Sequence, residues 1–431
     1  MDYDLSIVGA GWAGFNAAIT ARGLGLKVLL IEKADIGGTC LNTGCIPTKA
    51  LIQSAKALSL VKKSDSFGIN LASPSLNFLK IQERKLKIIQ VLKSGMQARL
   101  KGIDFLKAEA QVSSSEELVV DAQKIKSKNI IIASGSRPME IGAFKFDGKK
   151  ILSSDDILNL KEIPRSLLII GGGVVGSEFA SLFSALGTQV EIVEKMPQLL
   201  PGEDIEIARK LTAIFKKKGI KVNTNTDAAS IDLNNYELVL LAVGRAPNTD
   251  NLGLDKIGLN LERRKILVDE YLRTNIANIY SAGDCTGKIM LAHYAGYQGR
   301  IAAGNIADTK NLKKASTRNV PSCIFTDPEI SSVGLTEEEA RQEGLELKVY
   351  KFDFLASGMG RILEETDGFI KITADKKTGR VIGSSLIGPR ATELVGILTL
   401  AISAGLTVPQ LQETIFAHPT LSESISEALA Q

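Results

Sequence analysis

Short apolar runs, each entering a glycine and then a helical pattern, organise the first half of the 431-residue chain. LSIV before Gly9 and LLII before Gly171 predict buried strands that lead through a tight turn into a helix. After about Ser316 the pattern changes to alternating strands between amphipathic helices. Thr336 and Glu339 in this part have the spacing of a capping box. The chain is therefore predicted to be α/β, with a separate α+β region at its C-terminal end.

The two apolar runs belong to an internal repeat. LSIVGAGWAGFNAAITARGLGLKVLLIEK (5–33) aligns without a gap with LLIIGGGVVGSEFASLFSALGTQVEIVEK (167–195). Both copies contain a GxGxxG pattern after a strand and a glutamate at the end of the next strand: Gly9, Gly11, Gly14 and Glu32, then Gly171, Gly173, Gly176 and Glu194. In a βαβ unit these glycines allow the turn, the approach of a pyrophosphate and helix packing, while the acidic residue hydrogen-bonds a ribose. The repeat predicts two dinucleotide sites.

Three later segments predict strands that end in loops near these sites. IIASGSRP (131–138) and LLAVGRAPNT (240–249) follow the two copies, and each loop is placed to close over a nucleotide. NIYSAGDCTG (278–287) ends a third strand at Asp284. That carboxylate either holds a ribose or ribityl hydroxyl or only caps its own turn.

Two of the four cysteines, Cys40 and Cys45, lie in GGTCLNTGCIPTK (37–49). A disulfide this local closes too small a loop to stabilise the chain much. Pro47 is predicted in the first turn of a helix, which places Cys45 at a helix N-terminus, where a thiol pKa falls. Lys49 adds a positive charge one turn later. We interpret the pair as a redox dithiol.

The remaining candidate ligands do not favour a metal site. A zinc site needs four ligands, commonly in two close pairs. Cys285 and Cys323 stand alone and are expected to be ordinary buried cysteines. The only histidines are His293, expected to be structural, and His418, which is equally consistent with a general base and a structural residue. We predict no metal.

Composition narrows the class of protein. The 52 basic and 48 acidic residues give a net charge of +4 without a dense basic block, so no nucleic acid partner is expected. The longest apolar runs are too short to cross a bilayer, so no membrane partner is expected. Four cysteines in 431 residues do not make a secreted disulfide scaffold, so we expect the cytoplasm.

The order of these motifs resembles the pyridine-nucleotide disulfide oxidoreductases. Both glycine fingerprints, CxxxxC, AGD (282–284) and HPTLSE (418–423) occur in that family's order over essentially the whole chain. Within the family, DPEISSVGLTEEEA and TDGFIKITADKKTGRVIGSSLIGP are most similar to the dihydrolipoyl-oxidising branch. The resemblance implies two Rossmann-like domains, for FAD and NAD, and a C-terminal α+β interface domain. The implied boundaries are 1–147 for the FAD domain, 148–270 for the NAD domain, 271–315 for a segment completing the FAD site and 316–431 for the interface and dimerisation domain.

The same resemblance implies roles for individual residues. Cys40 meets the substrate and Cys45 contacts the flavin. Lys49 pairs with Glu178 near the flavin, and His418, held by Glu423, is the general base from the other subunit of a homodimer. The other implied FAD contacts are Gly38, Thr39, Ser134, Gly135, Ser136, Asp284, Met290, Leu291, Ala292 and His293. The other implied NAD contacts are Glu178, Gly244 and Arg245.

The implied reaction is ping-pong oxidation of protein-bound dihydrolipoamide with reduction of NAD⁺ to NADH. Glu194 favours NAD over NADP because a carboxylate repels a 2′-phosphate. The implied partners are lipoyl domains of 2-oxoacid dehydrogenase complexes or a glycine-cleavage carrier protein. A different small disulfide substrate and a mainly docking role in a complex remain alternatives. The stretch after Ile220 is shorter than is usual in the family, so a hairpin of the NAD domain is expected to be trimmed.

Overall fold

The computed structural model of the chain describes residues 1–71, 75–142 and 144–430. The first region contains a parallel sheet with a helical excursion between its second and third strands. Its elements are β1 (Tyr3–Val8), α1 (Trp12–Gly23), β2 (Val28–Glu32), α2 (Gly38–Asn42), α3 (Cys45–Lys62), α4 (Phe78–Arg99), β3 (Asp104–Lys107), β4 (Ala110–Ser114), β5 (Glu117–Val120), β6 (Gln123–Ile132) and β7 (Ser136–Pro138).

The second region repeats the same βαβ unit. Its elements are β8 (Ile151–Leu152), β9 (Ser166–Ile170), α5 (Val174–Leu186), β10 (Gln189–Val193), α6 (Ile205–Lys217), β11 (Lys221–Asn223), β12 (Leu238–Leu241) and β13 (Arg245–Pro247). Strands β11-β10-β9-β12-β8 form one parallel sheet in that order. Between β11 and β12 the chain forms two short 3₁₀ turns and no strand, and the trimming relative to the family stays a prediction.

The next segment returns to the first sheet. It contains β14 (Leu261–Glu262), β15 (Lys265–Ile266), β16 (Ile279–Ser281) and α7 (Ala292–Ala307). Strand β16 pairs in parallel with β6, beyond β1, so the first sheet runs β3-β2-β1-β6-β16, with β5 and β4 continuing antiparallel from β6. Helix α7 packs along α1. Asp284 therefore follows a strand of the first sheet, although it lies far along the chain from that sheet's other strands.

The C-terminal region is a five-stranded antiparallel sheet, β17-β18-β21-β20-β19, covered by helices. Its elements are β17 (Ser322–Ile324), β18 (Glu329–Gly334), α8 (Glu337–Gln342), β19 (Leu347–Asp353), α9 (Gly358–Ile362), β20 (Phe369–Asp375), β21 (Val381–Gly388), α10 (Ala391–Ser403), α11 (Val408–Gln412) and α12 (Glu423–Leu429). The capping box predicted at Thr336 and Glu339 is confirmed, since each side chain bonds the other's backbone amide.

A buried lysine joins this sheet to the second region. Lys371 on β20 bonds Asp204 at 2.6 Å and Glu206 at 2.9 Å, both at the start of α6, and Glu337 of α8 at 2.7 Å. Burial by itself lowers the pKa of Lys371, but its bonds to three carboxylates outweigh that effect and raise it. The lysine stays charged because the three surrounding carboxylates compensate the cost of burying its ammonium group.

Both glycine fingerprints are fixed by the same steric constraint. A Cβ at Gly14 would overlap Gly9 O, and a Cβ at Gly176 would overlap Gly171 O. Helix and preceding turn therefore meet backbone to backbone in each copy, which explains why the third glycine recurs.

Replacing Gly176 by alanine is expected to lower the free energy of unfolding by about 1–3 kcal/mol, because the methyl group has no space beside Gly171 O. Thermal unfolding without nucleotide measures the loss. Gly173→Ala is the matched control, since its Cβ would meet no atom within 4 Å. Equal melting temperatures for the two variants would contradict the packing argument.

Candidate active site

The loop with the cysteine pair lies directly on the first glycine fingerprint. Gly37 N donates to Ala10 O at 2.9 Å. Gly38 has φ +55°, and a Cβ there would stand only 2.7 Å from the Cα of Gly11. Only glycine permits this approach. The two glycines before Thr39 thus bring the cysteines against the predicted pyrophosphate loop.

The two cysteines are free thiols with unequal acidity. Cys40 lies in α2, and Cys45 is the first residue of α3. Hydrogen bonding to Cys40, followed by the charge of Lys49, lowers the pKa of Cys45 to about 7, although burial and Glu178 act in the opposite direction. The same bond, with burial, raises the pKa of Cys40. The two sulfurs therefore titrate as a pair, in which Cys45 is the more acidic member.

Lys49 and Glu178 form an ion pair between the two repeats. Lys49 Nζ lies 2.9 Å from Glu178 Oε1 and 2.8 Å from Oε2. Glu178 is in α5, just after the second fingerprint, and its side chain is only 5% exposed. Phe325 N donates to Glu178 Oε1 at 2.9 Å, and the Phe325 ring centroid is 4.8 Å from Lys49 Nζ. Sequence reasoning missed Phe325, because nothing in its surrounding residues indicates this packing.

Glu32 and Glu194 each bond their own glycine loop. Glu32 accepts from Ala10 N at 2.7 Å and Ala34 N at 2.8 Å. Glu194 accepts from the equivalent amides, Gly172 N at 2.6 Å and Met196 N at 2.7 Å. Each carboxylate oxygen keeps a further lone pair, so the ribose contact stays a prediction for both glutamates.

The second glycine of each fingerprint has open space beside its Cα. Gly11 and Gly173 are the N-caps of α1 and α5. A Cβ at Gly173 would meet nothing within 4 Å, and at Gly11 only the Cα of Gly38 at 3.9 Å. Neither glycine is needed for internal packing, so the open backbone at both helix N-termini fits an anionic ligand such as a pyrophosphate.

Asp284, Ser136 and Arg245 form one connected group. Ser136 Oγ donates to Asp284 Oδ2 at 2.6 Å, and Arg245 Nε donates to Ser136 Oγ at 2.8 Å. Arg245 Nη2 also donates to Ser136 O at 2.8 Å and reaches Thr39 Oγ1 at 3.5 Å. Burial raises the pKa of Asp284. Arg245 was expected at the NAD site, but its side chain contacts residues expected at the FAD site, because β13 pairs antiparallel with β7.

The neighbouring loops are held by backbone bonds. Ser134 Oγ donates to Asn248 O at 2.5 Å, and Asn248 N donates to Gly135 O at 2.9 Å. Gly244, just before β13, has φ +116°. These contacts tie the two predicted nucleotide-closing loops to each other. Asn248, like Phe325, was missed by sequence reasoning.

Segment 290–293 leads into α7, with Leu291 as its N-cap. His293 Nε2 donates to Pro321 O at 2.8 Å, and burial lowers the pKa of the ring. The contact supports the structural role expected of His293. Met290, Leu291 and Ala292 have no polar side chains, so any FAD contact from them would be through backbone or packing.

His418 is exposed, with a fixed ring orientation. Its Nδ1 donates to Glu423 Oε1 at 2.8 Å, and Glu423 Oε2 accepts from Thr420 N at 2.7 Å. Backbone bonding by Thr420 and then the contact with His418 lower the pKa of Glu423. The His418 side chain is 81% exposed, and its Nε2 faces away from the carboxylate. An imidazole held in this way can accept a proton at Nε2.

Metal-binding clusters and membrane-spanning helices are both absent from the residues that the structure describes. No group of three or more His, Cys, Asp or Glu among them is arranged to hold a metal ion. No helix within the same residues has both the length and the apolar composition to cross a membrane.

Two dinucleotide units joined through a dithiol define a flavoprotein disulfide oxidoreductase. Residues 3–299 match the family described as pyridine nucleotide-disulphide oxidoreductase, and residues 320–429 match its dimerisation domain. The chain belongs to this family, whose enzymes use FAD and NAD, and its fold class is the one predicted.

Curated relatives with the name dihydrolipoyl dehydrogenase match over nearly their full length. One from Bacillus subtilis is 39% identical over 448 residues, covering 99% of this chain and 97% of the relative. The one from Geobacillus stearothermophilus is 40% identical, covering 98% and 94%.

Solved structures give the same fold. LpdA from Mycobacterium tuberculosis is similar with a TM-score of 0.92 and 27% identity, covering 99% of this chain and 98% of that chain. RclA from Escherichia coli, a HOCl-induced flavoprotein disulfide reductase, is similar with a TM-score of 0.88 and 30% identity, covering 99% of both chains.

The reduced protein is expected to be alkylated at Cys45 with a rate that rises through pH of about 7, whereas an ordinary thiol titrates near 9.0. Cys40→Ala removes the largest cause of the shift and should move the midpoint upward, while Cys40→Ser keeps a donor and should move it less. Iodoacetamide labelling with peptide mapping measures this.

Cys285 and Cys323 provide the background for that experiment. Burial raises the pKa of both, to about 11 for Cys323, so neither should react in the same range. A midpoint near 9 in the unchanged protein, or no movement in Cys40→Ala, would contradict the assignment of the thiolate.

Proposed function

We propose that the chain oxidises dihydrolipoyl groups to the lipoyl disulfide and reduces NAD⁺ through a Cys40–Cys45 redox pair. The observation that carries this is the position of the dithiol: its loop lies on the first fingerprint, and Lys49, four residues after Cys45, is paired with Glu178 beside the second. The relatives named dihydrolipoyl dehydrogenase support the substrate.

The proposed cycle begins with the disulfide form. His418 Nε2 removes a proton from one substrate thiol, and the thiolate attacks Cys40, breaking the Cys40–Cys45 bond and leaving Cys45 as thiolate. The second substrate thiol attacks the substrate sulfur of the mixed disulfide, and its proton goes to the departing sulfur of Cys40. Two electrons and two protons leave the substrate, which becomes the cyclic disulfide. The lowered pKa of Cys45 makes it the better leaving group.

The cofactor contacts follow the two fingerprints. Gly11 and Asp284 would hold FAD in the first region, with Arg245 orienting the Ser136–Asp284 pair. Gly173 and Glu194 would hold NAD in the second. FAD and NAD, when bound, supply the path by which the electron pair leaves the dithiol and reduces the nicotinamide. Glu194, whose carboxylate is next to its glycine loop, disfavours a 2′-phosphate and so NADP.

The dimerisation domain supports a homodimer in which His418 of the partner subunit completes each site. The exposed His418 would then meet the Cys40 of the other chain. We propose lipoyl domains of a 2-oxoacid dehydrogenase complex, or a glycine-cleavage carrier protein, as the source of the substrate. A substrate that arrives as a dithiol suits the reducing cytoplasm.

Purified protein is expected to form NADH from dihydrolipoamide with NAD⁺ and far more slowly with NADP⁺. Cys45→Ser should keep bound FAD, because Cys45 contributes no fingerprint glycine, yet lose turnover. Absorbance at 340 nm follows NADH, and the visible flavin spectrum is the control for cofactor loading. Turnover retained by Cys45→Ser would exclude the dithiol mechanism.

Mixed dimers test the shared site. Cys45→Ser and His418→Gln homodimers should each be nearly inactive, since a general base is worth roughly 10²–10⁴ in rate. Co-expression of the two chains with different tags should restore activity, because each mixed dimer has one intact pair of Cys45 and His418. Random mixing of a two-fold dimer predicts about a quarter of the unmodified rate. If purified mixed dimers recover no activity, then either Cys45 and His418 of the same chain work together or His418 is not the general base.

A second candidate is reduction of another small disulfide, favoured by the similarity to RclA, a flavoprotein disulfide reductase. It predicts faster NADH-dependent reduction of that disulfide than NAD⁺-dependent oxidation of dihydrolipoamide. Both directions can be measured on the same preparation, so the comparison separates the two candidates.

A further inference from the structure

One residue of the C-terminal region touches both members of the Lys49–Glu178 pair. Phe325 lies in the turn between β17 and β18. Its backbone N–H bonds Glu178 Oε1 at 2.9 Å, and its ring centroid stands 4.8 Å from Lys49 Nζ. The first contact orients the carboxylate, and the second places the ammonium on the negative face of an aromatic ring.

The turn that carries Phe325 is anchored at two further points. Asp327 N donates to Ser181 Oγ at 3.0 Å, one turn beyond Glu178 on α5. Lys218, at the end of α6, bonds Asp327 Oδ2 at 2.5 Å. The backbone that carries Phe325 therefore cannot move away from Lys49 without breaking contacts to two helices of the second region.

The position of the Lys49 ammonium matters because opposite charges face the cysteine pair. The groups that face Cys45 are the Cys40 thiol from α2, Lys49 from its own helix and Glu178 from α5. Lys49 stabilises a Cys45 thiolate and Glu178 opposes it. If the Lys49 ammonium could move away from Cys45 together with the Glu178 carboxylate, the effects of the two charges on the potential at Cys45 would largely cancel.

We propose that Phe325 is a positioning residue of the redox pair: its ring and its N–H fix Lys49 and Glu178 so that the lysine, and not the glutamate, dominates the field at Cys45. The link to catalysis rests on the proposed function. The link to thiol acidity does not, and it can be measured without substrate.

The direct test is the pH dependence of Cys45 alkylation in the reduced protein. Phe325→Leu should move the midpoint upward by roughly half a pH unit, a size consistent with losing one partly exposed cation–π contact. Phe325→Tyr keeps the ring and should restore the original midpoint. Tyr350→Leu is the matched control: it removes a ring that stands 4.6 Å from Lys348 Nζ in the same sheet but packs in a different core cluster from Phe325, and it should leave the midpoint unchanged.

If Phe325→Leu does not fold, fluorinated phenylalanines at position 325 provide a second set of variants for the same measurement. Successive fluorines weaken the negative ring face with little change of shape, so the midpoint should rise stepwise with fluorine number.

With dihydrolipoamide as substrate, kcat of the Phe325 variants at neutral pH should fall with little change in KM, because Phe325 does not touch the substrate.

Two outcomes would overturn the proposal: a midpoint that is the same in folded Phe325→Leu and in the fluorinated series as in the unmodified protein, or an equal rise in Tyr350→Leu. Failure of the lipoyl assignment would instead appear as absent turnover in the unmodified protein with the alkylation shifts intact.

Discussion

The buried carboxylate of Glu178 is the constraint on which the arrangement of the site depends. It lies on α5 of the second region, accepts from Lys49 of the first and accepts from the backbone of Phe325 in the C-terminal region. A buried carboxylate is costly unless it is paired and hydrogen-bonded. Moving any of the three regions away would leave this buried carboxylate without one of its partners. The contact therefore holds the three regions in one geometry around the cysteine pair.

A second close contact fixes the dithiol relative to the first fingerprint. Gly38 and Gly11 approach backbone to backbone, and α3 begins at Cys45 immediately after this contact. The dithiol is thus bound to the first dinucleotide unit by steric fit and to the second by the Lys49–Glu178 charge pair. This geometry suits electron transfer in which both nucleotide units must keep their positions relative to the same pair of sulfurs.

The unequal acidity of the two cysteines suits them to different steps of thiol–disulfide exchange. Hydrogen bonding to Cys40 and the charge of Lys49 both lower the pKa of Cys45. The less acidic sulfur is suited to exchange with an incoming thiol, and the more acidic sulfur is suited to remain inside. His418 is exposed and oriented by Glu423, and in the proposed cycle it is the base that reaches the cysteines from the partner subunit.

The sequence by itself determined the features that depend on local geometry. The repeated glycines, the helix N-terminus at Cys45 and the capping box at Thr336 follow from a few neighbouring residues, and the structure contains each of them. The pairing of Lys49 with Glu178 came only from the family resemblance. Tertiary structure alone decided that β13 pairs with β7, which carries Arg245 to Ser136, and that the turn at Phe325 covers Lys49. Such contacts join residues more than a hundred positions apart, and their energy depends on packing that no local pattern encodes.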